Sequence, residues 1–205
     1  MPAERGPVVD LLRHGEPVGG RRYRGRTDDP LSGRGWAQMR AQAAAHGPWA
    51  RVVSSPLARC RAFAEALASE TGAALRIDPR LEELGYGAWE GLTHAEVAAR
   101  FPAELAAFRR DPLRHRPPGA EPLEDFLARV GAAWAEAEAE ARDSGGPVLV
   151  VTHAGVIRAV LGIVLGMPPA ATFRVMAGYA ALTRLRLDPD RGPCLLWHGL
   201  EPCAA

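Results

Sequence analysis

Short apolar runs, separated by segments with helical periodicity, are the feature that most constrains this 205-residue chain. The runs span 8–12, 52–54, 74–77 and 148–152, and each indicates a strand, with 8–12 expected to be buried and 148–152 the most apolar. Strands that alternate with helices form a mostly parallel sheet that is covered by helices on both faces. The predicted fold class is therefore α/β, in three layers around a mostly parallel central sheet.

Helical spacing and capping residues place the intervening helices. Ser32 is the expected N-cap of the first helix, because a serine side chain accepts a hydrogen bond from the free N–H groups at a helix start. The predicted helices span 33–46, 57–71, 93–101, 103–109, 122–141 and 154–165.

Two further segments complete the expected architecture. The less regular stretch 81–121 predicts a small helical lid, inserted on one face of a single domain that spans 1–205. Segments 179–187 and 194–198 alternate apolar and polar residues across the turn sequence DPDRGP. That pattern predicts an antiparallel hairpin at an edge of the sheet.

Charge and cysteine usage exclude several classes of protein. The 25 basic residues, all arginine, nearly balance 24 acidic ones, whereas nucleic-acid and membrane-surface binders need a basic excess. Cys60, Cys194 and Cys203 form no CxxC pair, which predicts neither a disulfide framework nor a zinc site. No signal peptide and no stretch of roughly 20 apolar residues is present, so we expect a cytoplasmic protein.

Polar residues follow three of the predicted strands directly. They are Arg13 and His14 after the first strand, Ser54 and Ser55 after the second, with Arg59 one turn into the next helix, and His153, followed by Ala154 and Gly155, after the fourth. Ligands of open α/β sheets bind beyond the carboxyl ends of the strands, where helix N-termini also favour anions. Arginine forks and helix N-termini around one spot predict a phosphate site.

This set of residues also predicts a reaction. Arg13 and His14 tolerate each other if an anion lies between them, and neighbouring arginines lower the pKa of an imidazole by like-charge repulsion. An unprotonated imidazole can attack phosphorus, while fixed arginines stabilise the charge that develops on the transferred group. No metal and no cofactor is needed. Two alternatives remain: His14 as a core histidine bonded to a backbone carbonyl, and Arg59 as a surface arginine.

Four motifs carry a resemblance to a known family. The segments LLRHGE, SSPLARC, LEELGYGAWEG and VTHAG occur in the order typical of the histidine phosphatase (phosphoglycerate-mutase-like) superfamily. The loop YRGRTDDPLSGRGWAQM is similar to the α-ribazole phosphatase branch of that family.

The resemblance implies a role for each matched residue. His14 would be the phosphorylated nucleophile, and Arg13, Arg59 and His153 would hold the phosphoryl oxygens. Glu83 matches the proton donor of the family, with Glu82 and Glu90 as rivals. A carboxylic acid beside a phosphate dianion is suited to donate a proton near neutral pH. The alternative for Glu83 is a turn cap or a partner for Arg80.

The arginine-rich loop and the aromatic residues give weaker expectations. Arg21, Arg22, Arg24 and Arg26 form either a solvated charge run or a rim that grips the substrate. Arg24 and Arg26 are the better candidates, because their segment resembles that of the family. Trp36, Trp49, Trp89 and Trp134 are expected in the core or at an interface, with Trp89 as a candidate wall of the pocket. We expect His94, His115 and His198 to be structural or exposed.

The predicted function is hydrolysis of a small-molecule phosphate monoester, with α-ribazole 5′-phosphate as the substrate that the resemblance suggests. One alternative is a mutase, although the family's mutases carry a tryptophan–asparagine pair where this chain has the segment 17–20, PVGG. Another is a catalytically silent phospho-ligand-binding domain. We expect a monomer or a homodimer, with neither nucleic acid nor membrane as partner.

Overall fold

The structure, a computed structural model, describes residues 6–200. Its strands are β1 (Val8–Arg13), β2 (Arg51–Ser54), β3 (Ala74–Ile77), β4 (Val148–Thr152), β5 (Leu182–Asp188) and β6 (Gly192–Leu200). Its helices are α1 (Gly33–His46), α2 (Ala58–Thr71), α3 (His94–Arg100), α4 (Pro102–Arg110), α5 (Leu123–Asp143) and α6 (Ala154–Val164).

One sheet organises the molecule, with the strand order β3-β2-β4-β1-β5-β6. Strands β3, β2, β4 and β1 run parallel, and β5 and β6 form the antiparallel edge. Both the α/β class and the edge hairpin are thereby confirmed.

Helices cover both faces of this sheet and create two apolar layers. On one face Phe126 and Val130 of α5 and Ile157 of α6 pack with the buried side of β1 and β4. On the other face Met39 of α1 and Phe63 of α2 do the same. The central strands β1, β2 and β4 are buried on both sides, which explains why they are continuous apolar runs in the sequence, whereas the edge strand β3 is only partly buried. The predicted three-layer arrangement is confirmed.

Strand β5 begins at Leu182, three residues later than the sequence predicts. The residues 178–181 form a turn, closed by a hydrogen bond from Ala181 N to Gly178 O. Ala180 has a left-handed φ of 52°, which interrupts extended backbone. This turn lies against the end of β1, since Ala180 N donates to His14 O.

The segment 81–121 folds around a small core of its own. Trp89, Val97, Leu105 and Phe108 form this cluster, with α3 and α4 as its helical part. Thr93 begins α3 in a capping box with Glu96, so the helix start is defined locally. Trp89 has no exposed surface, so the expectation that it is a core residue is confirmed and the alternative of a pocket wall is wrong.

The register of the parallel strands brings their carboxyl ends together. Arg13 lies opposite Thr152, and Ser54 lies opposite Val151. The residues that follow these positions in the chain therefore meet along one rim of the sheet. Within residues 6–200, no helix has the length and apolar character that crossing a membrane requires.

Candidate active site

A cavity of about 530 Å³ opens at this rim. Its wall contains six arginine side chains and one carboxylate, that of Glu83. The arginines are Arg13, Arg21, Arg22, Arg24, Arg59 and Arg158. Such an excess of positive charge in a partly enclosed space favours an anionic ligand.

His14 lies at the floor of the cavity and is 4% exposed. Its Nδ1 donates a hydrogen bond to Gly15 O at 2.8 Å, so the neutral ring carries its proton on Nδ1 and keeps a lone pair on Nε2. Burial, followed by the charges of Arg13 and Arg59, lowers the pKa of His14 well below its ordinary value. A core histidine would also make this hydrogen bond to a carbonyl. It would not line a cavity, whereas the ring of His14 does.

A close backbone approach fixes the position of His14. A Cβ on Gly15 would overlap the carbonyl of Gly35, and a Cβ on Gly35 would overlap the backbone of Glu16. The first turn of α1 therefore packs directly on the residues after His14. The expected cap is present, since Ser32 Oγ accepts a hydrogen bond from Gly35 N at 3.0 Å.

Arg13 is held in one orientation by two contacts. Its Nη1 donates to Ala177 O at 2.7 Å, and its guanidinium carbon lies 4.3 Å from the centre of the Tyr179 ring. Burial is the main cause that lowers the pKa of Arg13. Its buried Nε has no hydrogen-bond partner among residues 6–200, so one donor remains for a ligand.

Arg59 is fully buried, which excludes the alternative of a surface arginine. Its terminal nitrogens donate to Thr27 O at 2.7 Å and Gly25 O at 2.9 Å, in the loop before α1. Its buried Nε also lacks a partner within the described part of the chain. The motif SSPLARC thus places a clamped guanidinium at the cavity wall.

His153 lies behind His14, with the two ring centres 5.2 Å apart. Its Nε2 is hydrogen-bonded to Ser55 Oγ at 2.8 Å, and the buried thiol of Cys60 contacts the ring. Burial, then the charges of Arg59 and His14, lower the pKa of His153 well below its ordinary value. His153 does not itself line the cavity; it packs behind His14, and its Nε2 stays bonded to Ser55.

Glu83 reaches the cavity across the start of α6. Its Oε1 accepts from Leu84 N at 2.9 Å, and Gly155 N donates to both carboxylate oxygens at 3.1 and 3.2 Å. A Cβ at residue 155 would overlap Glu83 Oε1, so this approach needs a glycine. Gly155 itself positions Glu83 and does not line the cavity, whereas Ala154 does.

The rivals of Glu83 point elsewhere. Glu82 Oε2 lies 3.4 Å from Arg26 Nε, and Glu90 accepts a hydrogen bond from Tyr86 N at 2.8 Å. Neither side chain lines the cavity. Arg80 pairs with Asp78 and Glu136, so it does not pair with Glu83.

The two loop arginines take different positions. Arg24 lines the cavity and is anchored by Asp29 Oδ2 at 2.9 Å and by the carbonyls of Val18 and Gly20. Arg26 is 54% exposed and lies near Glu82 and Glu121 outside the cavity. The structure therefore brings Arg24 to the predicted site, and it does not bring Arg26 there.

Several cavity residues were not singled out by the sequence. Tyr179 arrives from the turn before β5, and Arg158 comes from the second turn of α6. His94, which we expected to be structural or exposed, lines the cavity and stacks on Tyr23 with ring centres 4.4 Å apart. The position of Arg158 was accessible to reasoning, because it lies three residues after Gly155 on the same helix face. Among residues 6–200, no three His, Cys, Asp or Glu side chains are grouped as a metal site would need.

Comparison with known proteins supports the assignment of these motifs. A model of the histidine phosphatase superfamily (branch 1) matches residues 9–199. A bifunctional protein of Mycobacterium tuberculosis is 38% identical over 189 residues, which are 87% of this chain and 47% of that protein. The chain thus spans about half the length of that relative. A glucosyl-3-phosphoglycerate phosphatase of M. tuberculosis is 36% identical over 170 residues, which are 78% of this chain and 76% of that enzyme.

Solved structures of other proteins share the fold of this chain. A mycobacterial hydrolase superimposes with a TM-score of 0.86 at 32% identity, covering 98% of this chain and 94% of the other. The α-ribazole phosphatase of Shigella flexneri gives a TM-score of 0.82 at 22% identity, covering 97% and 98%. At that identity the likeness to the α-ribazole branch concerns the fold alone.

Proposed function

The chain belongs to branch 1 of the histidine phosphatase superfamily, and from this membership we propose that it hydrolyses phosphate monoesters through a phosphohistidine on His14. The observation that carries the proposal is the buried, neutral imidazole of His14 at the floor of an arginine-lined cavity. We also propose that residues 1–205 form one domain, and that segment 81–121 covers its site.

In the first step, Nε2 of His14 attacks phosphorus and the bond to the ester oxygen breaks. The hydrogen bond from Nδ1 to Gly15 O keeps the proton on the far nitrogen, so the attacking lone pair is free. Arg13 and Arg59, each with an unpartnered Nε in the described structure, neutralise the phosphoryl oxygens. His153 packs behind His14 with the ring centres 5.2 Å apart, and the resemblance to the family assigns it a further contact to these oxygens.

The ester oxygen leaves with a proton from Glu83. In the second step water attacks the phosphohistidine, Glu83 accepts a proton from the water, and the nitrogen–phosphorus bond breaks. Inorganic phosphate leaves, and both side chains return to their starting protonation states. The hydrogen bonds from Leu84 N and Gly155 N hold the carboxylate in the same place for both steps.

The test measures inorganic phosphate released from a panel of esters. The panel contains p-nitrophenyl phosphate, 3-phosphoglycerate, glucosyl-3-phosphoglycerate (the substrate in the name of a relative) and α-ribazole 5′-phosphate (suggested by loop 23–39). We expect phosphate release from at least one ester, and its loss by at least about a thousandfold in His14→Gln, because the nucleophile is absent. His115→Gln, the same change at an exposed histidine, is the matched control.

The outcomes separate three functions. Phosphate release that depends on His14 supports the phosphatase. Transfer of the phosphoryl group between phosphoglycerates, with little free phosphate, would favour the mutase. Binding of esters without any turnover between pH 5 and 8 would favour a catalytically silent binding domain.

A further inference from the structure

Arg59 lies in the first turn of α2, and the start of this helix has no cap from its own N-cap residue. Leu57 occupies the N-cap position, and its side chain has no oxygen that could accept a hydrogen bond from the free N–H groups there. The first helical residue, Ala58, therefore needs an acceptor from another part of the chain. Because Arg59 is the next residue, that acceptor lies one residue away from a side chain of the phosphoryl site.

The acceptor is the carboxylate of Asp28, which lies 30 residues earlier in the chain. Ala58 N donates a hydrogen bond to Asp28 Oδ1 at 2.6 Å. The side chain of Asp28 is exposed, yet no arginine among residues 6–200 lies within 4.0 Å of its carboxylate. Asp28 thus caps a helix instead of forming an ion pair, and its negative charge suits the positive end of the helix dipole.

The segment that contains Asp28 also holds the side chain of Arg59. Arg59 Nη1 donates to Thr27 O at 2.7 Å, and its Nη2 donates to Gly25 O at 2.9 Å. Residues 25–28 therefore contact both the backbone at the start of α2 and the end of the Arg59 guanidinium. The buried Nε of Arg59 has no partner within the described residues, so it remains as a donor for the phosphoryl group.

The preceding part of this segment is anchored to the loop before α3. Tyr23 N donates to Leu92 O at 2.9 Å, and Gly91 N donates to Tyr23 O at 2.8 Å. The two carbonyls that hold Arg59 therefore lie between an anchor at Tyr23 and the cap at Asp28. Without the cap, the end of the segment that lies nearest to α2 loses its hydrogen bond to that helix.

We propose that Asp28 is a positioning residue for the transfer of the phosphoryl group. It fixes the start of α2 against residues 25–28, and it thereby sets the place of the Arg59 guanidinium in the cavity. A cation that is held in place before the reaction stabilises the charge of the transferred group without reorganisation, so a small displacement of that cation lowers the rate. This inference rests on the proposed phosphatase function.

Two substitutions of Asp28 test the cap. Asp28→Ala removes the acceptor, and we expect kcat/KM for p-nitrophenyl phosphate to fall by about tenfold, because a displaced guanidinium stabilises the transferred group less well. Asp28→Asn should stay within about threefold of the wild type, since asparagine caps a helix about as well as aspartate does. Asp188→Ala is the matched control and should leave kcat/KM unchanged. Asp188 Oδ1 also accepts from backbone N–H groups, but in the turn after β5, at the end of the sheet opposite the cavity.

A double-mutant cycle shows whether Asp28 acts through Arg59. In the Arg59→Met background, Asp28→Ala should lower kcat/KM by less than about twofold, because the side chain that Asp28 positions is absent. A loss as large as in the wild-type background would mean that Asp28 only supports the fold, and it would overturn the proposal. Circular dichroism verifies that each variant is folded. If Arg59→Met does not fold, Arg59→Lys replaces it, since lysine keeps the charge and loses the fork.

The failure of this inference is distinct from the failure of the proposed function. Full activity in Asp28→Ala, or equal losses in Asp28→Ala and Asp28→Asn, would overturn the positioning role and leave the phosphatase intact. If the wild type hydrolyses no ester at all, the phosphatase proposal fails. Calorimetric binding of inorganic phosphate then tests the position of Arg59. Weaker binding in Asp28→Ala than in Asp28→Asn would support the role of Asp28, whereas equal affinities, or no binding to the wild type, would reject it.

Discussion

Tyr179 covers one face of the Arg13 guanidinium, and its ring centre lies 5.8 Å from that of His14. It extends from the turn that includes the left-handed Ala180, and that turn is tied to the His14 carbonyl. A residue near the end of the chain therefore helps to orient the two side chains that follow β1. Stacking and the bond to Ala177 O together leave Arg13 little rotational freedom.

We therefore expect Tyr179→Leu to lower kcat/KM for p-nitrophenyl phosphate by about tenfold, since a partly desolvated cation–π contact contributes about 1–2 kcal/mol. Tyr179→Phe keeps the ring and should stay within about threefold of the wild type. Steady-state kinetics and the inhibition constant for inorganic phosphate measure both effects. Equal losses in the two variants would show that the hydroxyl, not the ring face, is what matters.

Among the elements, α1 sets the position of the segment after β1. Gly35 in its first turn lies so close to the Glu16 backbone that a Cβ would overlap it, and Ser32 N donates to Glu16 O at 2.9 Å. A Cβ on Gly33, two residues earlier, would meet nothing within 4 Å. The sequence GRG thus contains one glycine that the packing requires and one that it does not.

Gly35→Ala should consequently destabilise the protein by about 1–3 kcal/mol, as overpacking of a tight contact does, and should also lower phosphatase activity by displacing His14. Gly33→Ala should leave stability the same or slightly higher, because alanine is a better helix former than glycine. Urea denaturation with parallel activity assays measures both variants. A similar response of the two glycines would contradict the proposed contact between α1 and Glu16.

The elements were largely predictable from the sequence because their determinants are local. Buried parallel strands gave continuous apolar runs, and polar residues directly after those runs identified Arg13, His14 and His153. The sequence did not predict the direction of side chains that extend from irregular backbone. Arg26 and Arg24 share one loop, yet only Arg24 turns into the cavity, where Asp29 and two carbonyls hold it.

The roles of other residues were not predicted because packing between segments that are distant in the sequence determines their positions. Tyr179 reaches the site only through antiparallel pairing of β5 with β1, and its own sequence context resembles a strand. Trp89 is an aromatic in the motif nearest the pocket, but it serves as the core of segment 81–121. The aromatic side chains that line the cavity are instead those of Tyr23, Tyr86 and Phe108, and Phe108 also belongs to that core.

At the scale of the whole molecule, the buried histidines of the site make the free energy of unfolding depend on pH. The pKa values of His14 and His153 lie well below the ordinary value of 6.5, mainly because both rings are buried. Burial also lowers the pKa of His94, and this effect has the same sign. Hydrogen bonds from Arg80 and Arg76 lower the pKa of Asp78 to about 2 despite its burial. Asp78 therefore does not change its charge between pH 5 and pH 6.5.

The free energy of unfolding should therefore decrease as the pH falls from 6.5 toward 5. In this window the unfolded chain binds protons on its histidines, whereas the folded protein keeps His14 and His153 neutral. Each such histidine contributes a slope of up to about 1.4 kcal/mol per pH unit, and above about pH 6.5 the curve should flatten. Urea unfolding at several pH values measures the slope in the wild type, in His14→Gln and in the exposed-site control His115→Gln. We expect a shallower slope in His14→Gln alone; a slope equal to that of the wild type would mean that His14 is protonated in the folded state, which is incompatible with its role as the nucleophile.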